Sequence, residues 1–201
     1  MVMSLYSGTP GSGKSLHCAT KLYWSLKRGR SCICNFSINT SLIPKCKGEF
    51  IEIDNKDLTP KFLRNYSNIY FQSHKFKEDS ILLVIDEAQI IFNARSWNAE
   101  GRDDFISFFS NHRKYGYEII LIAQFDRMLD RQIRSLLEYE YIHRKVSNFG
   151  IFGKIMSICA GGKLFVSVQR WYPLKERVAS DFFKANKKYY QIYDTFNKFD
   201  K

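Results

Sequence analysis

Long apolar runs are absent from this sequence of 201 residues. The longest, residues 81–85 and 119–123, reach about a quarter of the roughly 20 apolar residues that a membrane-spanning helix needs. The amino terminus also lacks the basic start and long apolar stretch of a signal peptide, and it runs straight into a glycine-rich segment. We therefore expect neither a membrane span nor a secretory leader in these residues.

Cysteines are few in number, and acidic residues are outnumbered by basic ones. Five cysteines form an odd set, which argues against a disulfide framework and favours a reducing compartment such as the cytoplasm. Asp and Glu number 20 against 31 Lys and Arg, which leaves a formal net charge of +11. This charge attracts polyanions, but it does not decide between nucleotides, nucleic acid and an anionic lipid surface, and a basic protein without such a partner stays an alternative.

Internal repeats, low-complexity tracts and linkers are missing too, so we expect one domain over residues 1–201. An apolar share of 45% and an aromatic share of 16% exclude the disordered and coiled-coil classes. Strand-like runs alternate with amphipathic helical windows, which predicts an α/β domain with a mainly parallel central sheet flanked by helices. The strands are expected at residues 1–7, 31–36, 81–85 and 118–123, and the helices at residues 14–28 and from Phe105 to about Gly116.

The remaining stretches are less regular. Residues 37–80 resemble an insertion, in which we expect a strand at 50–53, a helix at 57–66 and a strand at 69–71. After a helix at residues 126–138, residues 139–147 and 163–172 indicate a closing pair of strands that is partly antiparallel. Residues 174–201 form a C-terminal tail without firm periodicity.

A glycine-rich loop lies between the first predicted strand and the first predicted helix. Residues 8–15 read G-T-P-G-S-G-K-S, the pattern of a phosphate-binding loop. Glycines let backbone N–H groups close around a phosphate without Cβ clashes, and the helix N-terminus adds partial positive charge. We expect Lys14 to bridge the β- and γ-phosphates of ATP and Ser15 to bind Mg²⁺. The residues expected to contact the nucleotide are Gly8, Pro10, Gly11, Ser12, Gly13, Lys14, Ser15 and Leu16.

Polar residues follow two of the predicted buried strands. Asp86, directly after residues 81–85, is expected to orient Mg²⁺, and Glu87 to polarise a water for in-line attack on the γ-phosphate. Gln124, after residues 118–123, is a candidate sensor for the γ-phosphate or the attacking water. The alternative for each is a plain polar strand end. The loop upstream favours the functional interpretation of the two acids more than that of Gln124.

Other phosphate-loop classes fit less well. The GTPase motif N-K-x-D occurs at residues 197–200, but at the extreme C-terminus and not after a buried strand. A small-molecule kinase would keep the loop, yet the sequence indicates neither a lid nor an acceptor pocket. Because Glu87 favours water as the acceptor, we predict a Mg²⁺-dependent ATP hydrolase. The alternative is a nucleotide-gated binding module with little turnover, which switches its affinity for a membrane or virion partner.

Several further blocks resemble the zonular occludens toxin (Zot) family, which includes filamentous phage assembly proteins of the gene I type. The blocks are Cys34-Asn35-Phe36, residues 86–97 (D-E-A-Q-I-I-F-N-A-R-S-W), residues 112–116 (H-R-K-Y-G), Ile122-Ala123-Gln124 and Tyr193-Asp194-Thr195. The resemblance implies a P-loop ATPase of the additional-strand type that drives filamentous phage assembly and DNA export across the inner membrane. It also implies a position at the cytoplasmic face of that membrane, through a segment absent from this chain.

Two arginines are candidates for completing the ATP site of a neighbouring subunit. ATPases of this type often need an arginine finger from the next subunit, so we expect a homo-oligomeric ring, with a hexamer as one option. Arg113 and Arg95 are the candidates, and Arg113 is preferred because its helix end is expected to face the same sheet edge as Gln124. A cation that only stabilises a helix C-terminus is the alternative.

Three more arginines repeat on one face of the helix predicted at residues 126–138. Arg127, Arg131 and Arg134 have the spacing i, i+4, i+7, opposite an apolar face. Such a stripe either follows the phosphate backbone of single-stranded phage DNA or forms a solvated face. Virion and assembly proteins are the other expected partners.

Overall fold

The computed structural model describes residues 2–94 and 101–193, which fold around one mixed sheet of eight strands. The strands are β1 (Met3–Ser7), β2 (Ser31–Cys34), β3 (Phe50–Glu52), β4 (Ile81–Ile85), β5 (Tyr117–Ile122), β6 (Tyr139–Lys145), β7 (Leu164–Trp171) and β8 (Glu176–Lys184). The helices are α1 (Lys14–Lys27), α2 (Pro60–Ser73), α3 (Arg102–Ser110), α4 (Arg131–Ser135), α5 (Gly150–Cys159) and α6 (Lys187–Tyr190).

The strand order is β3-β2-β4-β5-β1-β6-β7-β8. Pairing is parallel from β3 through β6 and antiparallel where β7 and β8 follow. Strand β5 lies between β1 and β4, which is the additional strand that the resemblance implied. The predicted fold class is therefore confirmed. The carboxyl ends of β1, β4 and β5 meet at one edge of the sheet, so the loops that follow these strands lie side by side.

Alternate residues of the central strands pack into two cores. Leu82 and Val84 face α1, while Ile81, Leu83 and Ile85 face the side covered by α2, α3 and α4. All five residues of β4 are buried, as expected for a strand covered on both faces. The predicted stripe of α1 is buried as well: Leu16, Ala19, Leu22, Tyr23 and Leu26.

Helix α2 is longer than the sequence predicted. It continues to Ser73, so the strand expected at residues 69–71 is wrong. Thr59 caps the helix by accepting a hydrogen bond from the Phe62 N–H at 3.1 Å, and the Ser67 hydroxyl donates to the Tyr115 carbonyl at 2.9 Å. This anchoring near α3 explains why the apolar residues at 69–71 extend a helix although their types favour a strand.

The helix expected at residues 126–138 is also wrong, because it is broken in the middle. Asp126–Met128 form a 3₁₀ turn, Leu129 is extended with ψ 149°, and α4 begins after Asp130. The Asp130 carboxylate accepts from the Gln132 N–H at 2.8 Å and pairs with Arg102 at 2.9 Å. Its role as an N-cap interrupts the apolar periodicity that suggested one helix.

The C-terminal part contains more structure than expected. The closing pair of strands is present as β6 and β7, but α5 lies between them and β8 extends the sheet. Helix α6 packs on α1, where the Tyr189 ring lies 5.3 Å from the Tyr23 ring. Among the described residues no helix is long and apolar enough to cross a membrane.

Candidate functional site

The glycine-rich loop joins the carboxyl end of β1 to α1. Gly8 and Gly13 have φ values of 142° and 99°, which L side chains rarely adopt. A Cβ on Gly8 would lie 2.5 Å from the His143 carbonyl oxygen, and one on Gly13 would lie 2.8 Å from the Phe165 ring. The first helical hydrogen bond runs from the His17 N–H to the Gly13 carbonyl, so the preceding N–H groups of α1 lack helical partners. This geometry can accept an anion at the start of α1.

Lys14 folds back onto the loop in this structure. Its Nζ donates to the carbonyls of Gly8 at 2.5 Å and Thr9 at 3.2 Å. Burial lowers the pKa of Lys14, and the carboxylates of Asp86 and Glu87 oppose this shift. The loop lysine and the two acids therefore share one electrostatic environment, as their predicted roles require. To reach a phosphate, Lys14 exchanges these two carbonyls for phosphate oxygens.

The acidic pair follows β4 at the same edge. The Asn35 side chain holds the Asp86 backbone on both sides: its Oδ1 accepts from the Asp86 N–H at 2.7 Å, and its Nδ2 donates to the Asp86 carbonyl at 2.9 Å. Glu87 is exposed and has φ 48°, the left-handed region that non-glycine residues seldom occupy. The Asp86 carboxylate accepts from the Glu87 N–H at 2.9 Å, and the Gln89 amide donates to the Glu87 carboxylate.

Tyr193 closes the other side of the loop. Its hydroxyl donates to Oδ2 of Asp86 at 2.5 Å and is hydrogen-bonded to Ser15. Burial and the nearby Asp86 carboxylate raise the pKa of Tyr193 well above its usual value, so the hydroxyl keeps its proton. Tyr193, Tyr189 and Tyr190 form, with the loop residues from Gly11 to Leu16, a recess of about 320 Å³.

The residues predicted to bind Mg²⁺ suit that ion. A serine hydroxyl and a carboxylate are the oxygen ligands that Mg²⁺ prefers. Ser15 and Asp86 lie within two hydrogen bonds of each other, because both contact the Tyr193 hydroxyl. The donor set thus fits a divalent cation, which would displace the tyrosine hydroxyl from at least one of them.

Gln124 lies at the carboxyl end of β5, beside the start of the loop. Its backbone carbonyl accepts from the Gly8 N–H at 3.1 Å. The residue also lines a cleft of about 570 Å³ with Gly8, Thr9 and the β6 residues Glu140 and Arg144. The structure therefore brings Gln124 to the candidate site, and its role as a sensor stays a prediction.

A histidine pair under the loop, with His143 buried and His17 half-buried, had no signal in the sequence. Nδ1 of His17 lies 2.8 Å from Nε2 of His143, and Nδ1 of His143 lies 3.2 Å from the Ser7 carbonyl. The carbonyl accepts from the Nδ1–H of His143, which leaves its Nε2 to accept from His17. Burial lowers the pKa of His17 to about 4 and that of His143 to about 3. The pair links α1 to β6 without a charge.

Arg113 does not share the sheet edge of Gln124, so the reason for preferring it as the finger is wrong. It lies in the 3₁₀ turn His112–Tyr115, before β5, and pairs with Glu138 at 2.9 Å. The Glu138 N–H donates to the Met3 carbonyl, which marks the amino edge of the sheet. That edge is about 13 Å from the loop at a rise of roughly 3.3 Å per strand residue. Arg95 lies outside the described residues, as do residues 96–97 and 194–195 of the family-like blocks.

The arginine stripe is not one continuous helical face. Arg127 belongs to the 3₁₀ turn, whereas Arg131 and Arg134 lie on α4 beyond the break at Asp130. Arg127 and Arg131 are exposed and Arg134 is half-buried. Only two of the three are thus presented fully to a partner.

The sequence interpretation gave no role to Asn35, Tyr193 or the histidine pair, although Asn35 and Tyr193 lie in two of the family-like blocks. Asn35 directly follows β2, but the strand predicted at residues 31–36 ran past it, so its place at a strand end was missed. Tyr193 lies more than 170 residues from the loop in the chain, and the histidines are 126 residues apart. Periodicity cannot detect such pairings.

Comparisons with known proteins give the family and the fold of this chain. The chain matches the family described as zonular occludens toxin (Zot) over residues 2–196. The gene 1 protein of Enterobacteria phage fd is 28% identical over 176 residues, which are 82% of this chain and 49% of that protein. The chain spans about half the length of the gene 1 proteins that it matches.

Solved structures of similar fold include one bacterial and one viral protein. The N-terminal domain of zonular occludens toxin from Neisseria meningitidis has a TM-score of 0.61 at 20% identity, covering 96% of this chain and 98% of that one. The genome packaging NTPase B204 from Sulfolobus turreted icosahedral virus 2, in complex with ATP-gammaS, has a TM-score of 0.56 at 14% identity, covering 92% and 98%. The fold is that of the P-loop NTPases, and the chain belongs to the zonular occludens toxin (Zot) family.

Proposed function

We propose that this chain is the Mg²⁺-dependent ATPase that powers filamentous phage assembly and DNA export across the inner membrane. One observation carries the proposal: Lys14, Ser15, Asp86 and Glu87 meet at one sheet edge in a chain of the Zot family. Support also comes from the phage gene 1 proteins among its relatives. The protein would act at the cytoplasmic face of the membrane, held there by a segment outside this chain.

Each residue of the site has a proposed task. Gly8 and residues 11–16 hold the ATP phosphates through backbone N–H groups, Pro10 shapes the loop without donating, and Lys14 binds the β- and γ-phosphates. Ser15 and Asp86 hold Mg²⁺, which when bound neutralises the charge that develops on the phosphates. Glu87 accepts a proton from the attacking water, and Gln124 helps to orient that water. The exposure of Glu87 supports its role, since solvent reaches its carboxylate.

The active form is proposed to be a homo-oligomeric ring, with a hexamer as one option. An arginine of the next subunit would complete the site, and Arg113 remains the candidate within the described residues. Single-stranded phage DNA and virion or assembly proteins are the proposed partners, which a net charge of +11 supports for the nucleic acid.

A second function is a nucleotide-gated binding module with little turnover. The contacts of Lys14 with the Gly8 carbonyl and of Tyr193 with Asp86 favour it, because both must be exchanged before ATP and Mg²⁺ are bound. Steady-state phosphate release, with and without single-stranded DNA, separates the two functions. The ATPase predicts continuous release that requires Mg²⁺ and is lost in Lys14→Ala. Binding of ATP without release would overturn the ATPase and support the module.

A further inference from the structure

The surface of α5 is unusually apolar for a helix with solvent on one side. Ile151, Phe152, Ile155 and Ile158 are between 52% and 79% exposed. Three of them repeat at i, i+4 and i+7, and Phe152 lies beside Ile155 on the same face. Scattered single apolar residues on a surface are ordinary, but four neighbours on one face form a contiguous patch.

The opposite face of α5 attaches it to the domain. Met156 and Ala160 pack against the small cluster formed by Val146, Leu164 and Val166. Gly153 also faces inward, where any Cβ would overlap the Val146 carbonyl. Packing of the opposite face on the domain therefore keeps the apolar face exposed. Burying that face by turning the helix about its axis would break this packing.

The chain segment that contains α5 carries charge of one sign. From residue 141 to residue 175 the sequence contains six Lys and Arg and no Asp or Glu. Arg144, Lys154 and Lys163 are exposed, and Lys154 lies on α5 itself at the border of the apolar face. Lys175 pairs with Asp126 and Glu140, so its charge does not count toward this face. An apolar helix face bordered by cations is the composition of helices that lie in the interface of an anionic bilayer.

We propose that α5 docks on an anionic lipid surface, with its apolar face among the acyl chains and its lysines at the headgroups. A lysine at the border of the face keeps its ammonium at the headgroups while its stem stays in the apolar layer. A second copy of the chain docked face to face fits less well, because two such faces carry the same charge. This contact belongs to the chain itself and is separate from any membrane segment outside it.

Vesicle binding tests the proposal directly. The full chain should co-sediment with vesicles that contain phosphatidylglycerol and not with pure phosphatidylcholine vesicles, and the binding should weaken as salt is raised. The double variant Phe152→Ser/Ile155→Ser should lose at least ~10-fold in affinity, since it removes two of the four inserted side chains. The matched control is Ile69→Ser/Phe76→Ser, because both side chains are exposed and apolar but lie away from α5. It should bind like the unchanged chain.

The charge contribution has its own pair of variants. Lys154→Gln/Lys163→Gln should weaken binding to anionic vesicles about fivefold per charge. Lys56→Gln/Lys61→Gln removes the same net charge from exposed positions at the other end of the sheet and should have a smaller effect. Equal effects of the two pairs would mean that net charge alone attracts the chain, which would overturn a role for α5.

An environment-sensitive fluorophore gives the depth of insertion. Cys159 lies on the exposed face of α5, and Cys46 is exposed elsewhere. The emission of the label on Cys159 in a Cys46→Ser chain should shift to the blue with anionic vesicles, and that of the label on Cys46 in a Cys159→Ser chain should not.

An emission shift that follows protein concentration without lipid, together with a smaller oligomer for Phe152→Ser/Ile155→Ser, would assign the face to a second copy and overturn the proposal. Lys14→Ala should keep its lipid binding, which separates this result from the fate of the ATPase.

Discussion

The Tyr193 hydroxyl and the Asp86 carboxylate are joined by a hydrogen bond of 2.5 Å. Ser15 contacts the same hydroxyl, so a residue near the C-terminus lies between the two groups proposed to hold Mg²⁺. The Tyr193 ring is held by Phe36, with ring centroids 4.8 Å apart. The position of this hydroxyl therefore depends on the packing of the Tyr193 ring against Phe36.

Removing this hydroxyl should ease cation binding. Tyr193→Phe keeps the ring and frees the carboxylate from a hydrogen bond worth about 1.5–3 kcal/mol to a charged acceptor. We expect the Mg²⁺ concentration for half-maximal phosphate release to fall by roughly tenfold. The control is Tyr190→Phe, which lines the same recess and should change little. An increased Mg²⁺ requirement would show instead that Tyr193 orients Asp86 for the metal.

Loss of the Glu87 carboxylate should stop chemistry but not binding. Glu87→Gln removes the proposed proton acceptor, so turnover should fall at least ~10²-fold while ATP affinity is kept. Lys14→Ala should weaken ATP binding instead. Glu78→Gln, which changes another exposed glutamate, should leave both values unchanged. Single-turnover phosphate release and nucleotide titration measure the two effects, and wild-type turnover by Glu87→Gln would exclude the water-activating role.

The local parts of this architecture were open to prediction. The loop at residues 8–15, the strand β4 and the acids after it are contiguous in sequence, and their neighbours decide their conformation. The apolar stripe of α1 was also predictable. Its residues recur at helical spacing because one face of the helix packs on the sheet. For these elements, a local sequence pattern and the chemistry of phosphate binding were sufficient to predict the structure.

The rest depends on partners distant in sequence. Strand β8 was not predicted because most of its side chains are exposed, so the alternation that marks a half-buried strand is missing. Asp130 broke a predicted helix through a cap and a pairing with Arg102, which lies 28 residues earlier. The left-handed backbone of Glu87 is accompanied by a hydrogen bond from its N–H to the Asp86 carboxylate, and nothing in the local sequence marks it.

The arginine finger can be tested by mixing subunits. Because Arg113 and the loop lie at opposite edges of one sheet, any contribution of Arg113 must reach the site of another subunit. Arg113→Ala and Glu87→Gln should each be poorly active alone, and their mixture should regain activity at about a quarter of the interfaces in a randomly mixed ring. Turnover of the unchanged chain should also rise faster than linearly with protein concentration. No recovery, together with linear dependence, would count against both the finger and the ring.

The histidine pair should make stability depend on mild acid. In the folded state the pKa values are lowered to about 4 for His17 and about 3 for His143, while the unfolded chain binds protons near the usual value of 6.5. Between these limits the unfolded state binds more protons, so stability falls as pH falls from about 6.5 to about 4, by about 2 kcal/mol per histidine at pH 5. Urea unfolding at pH 7.5 and pH 5 measures the slope. His17→Gln/His143→Gln should flatten it even if the variant is less stable throughout, and the exposed His74→Gln should keep it.

Salt dependence distinguishes a nucleic-acid surface from a solvated face at Arg127, Arg131 and Arg134. Contacts to a phosphate backbone without base recognition should give an affinity for single-stranded DNA that depends little on sequence and falls with salt, by about 0.7 log units per phosphate neutralised for each log unit of salt. Since Arg134 is half-buried, replacing all three arginines with glutamine should flatten the slope by about 1.4 units, the contribution of the two exposed ones.

Basal ATP turnover should stay near the wild-type value because Leu129 and Ile133 anchor this segment from the core. Arg28→Gln/Lys61→Gln, a change of exposed charges elsewhere, serves as the reference. A triple variant with an unchanged slope would make this a solvated face.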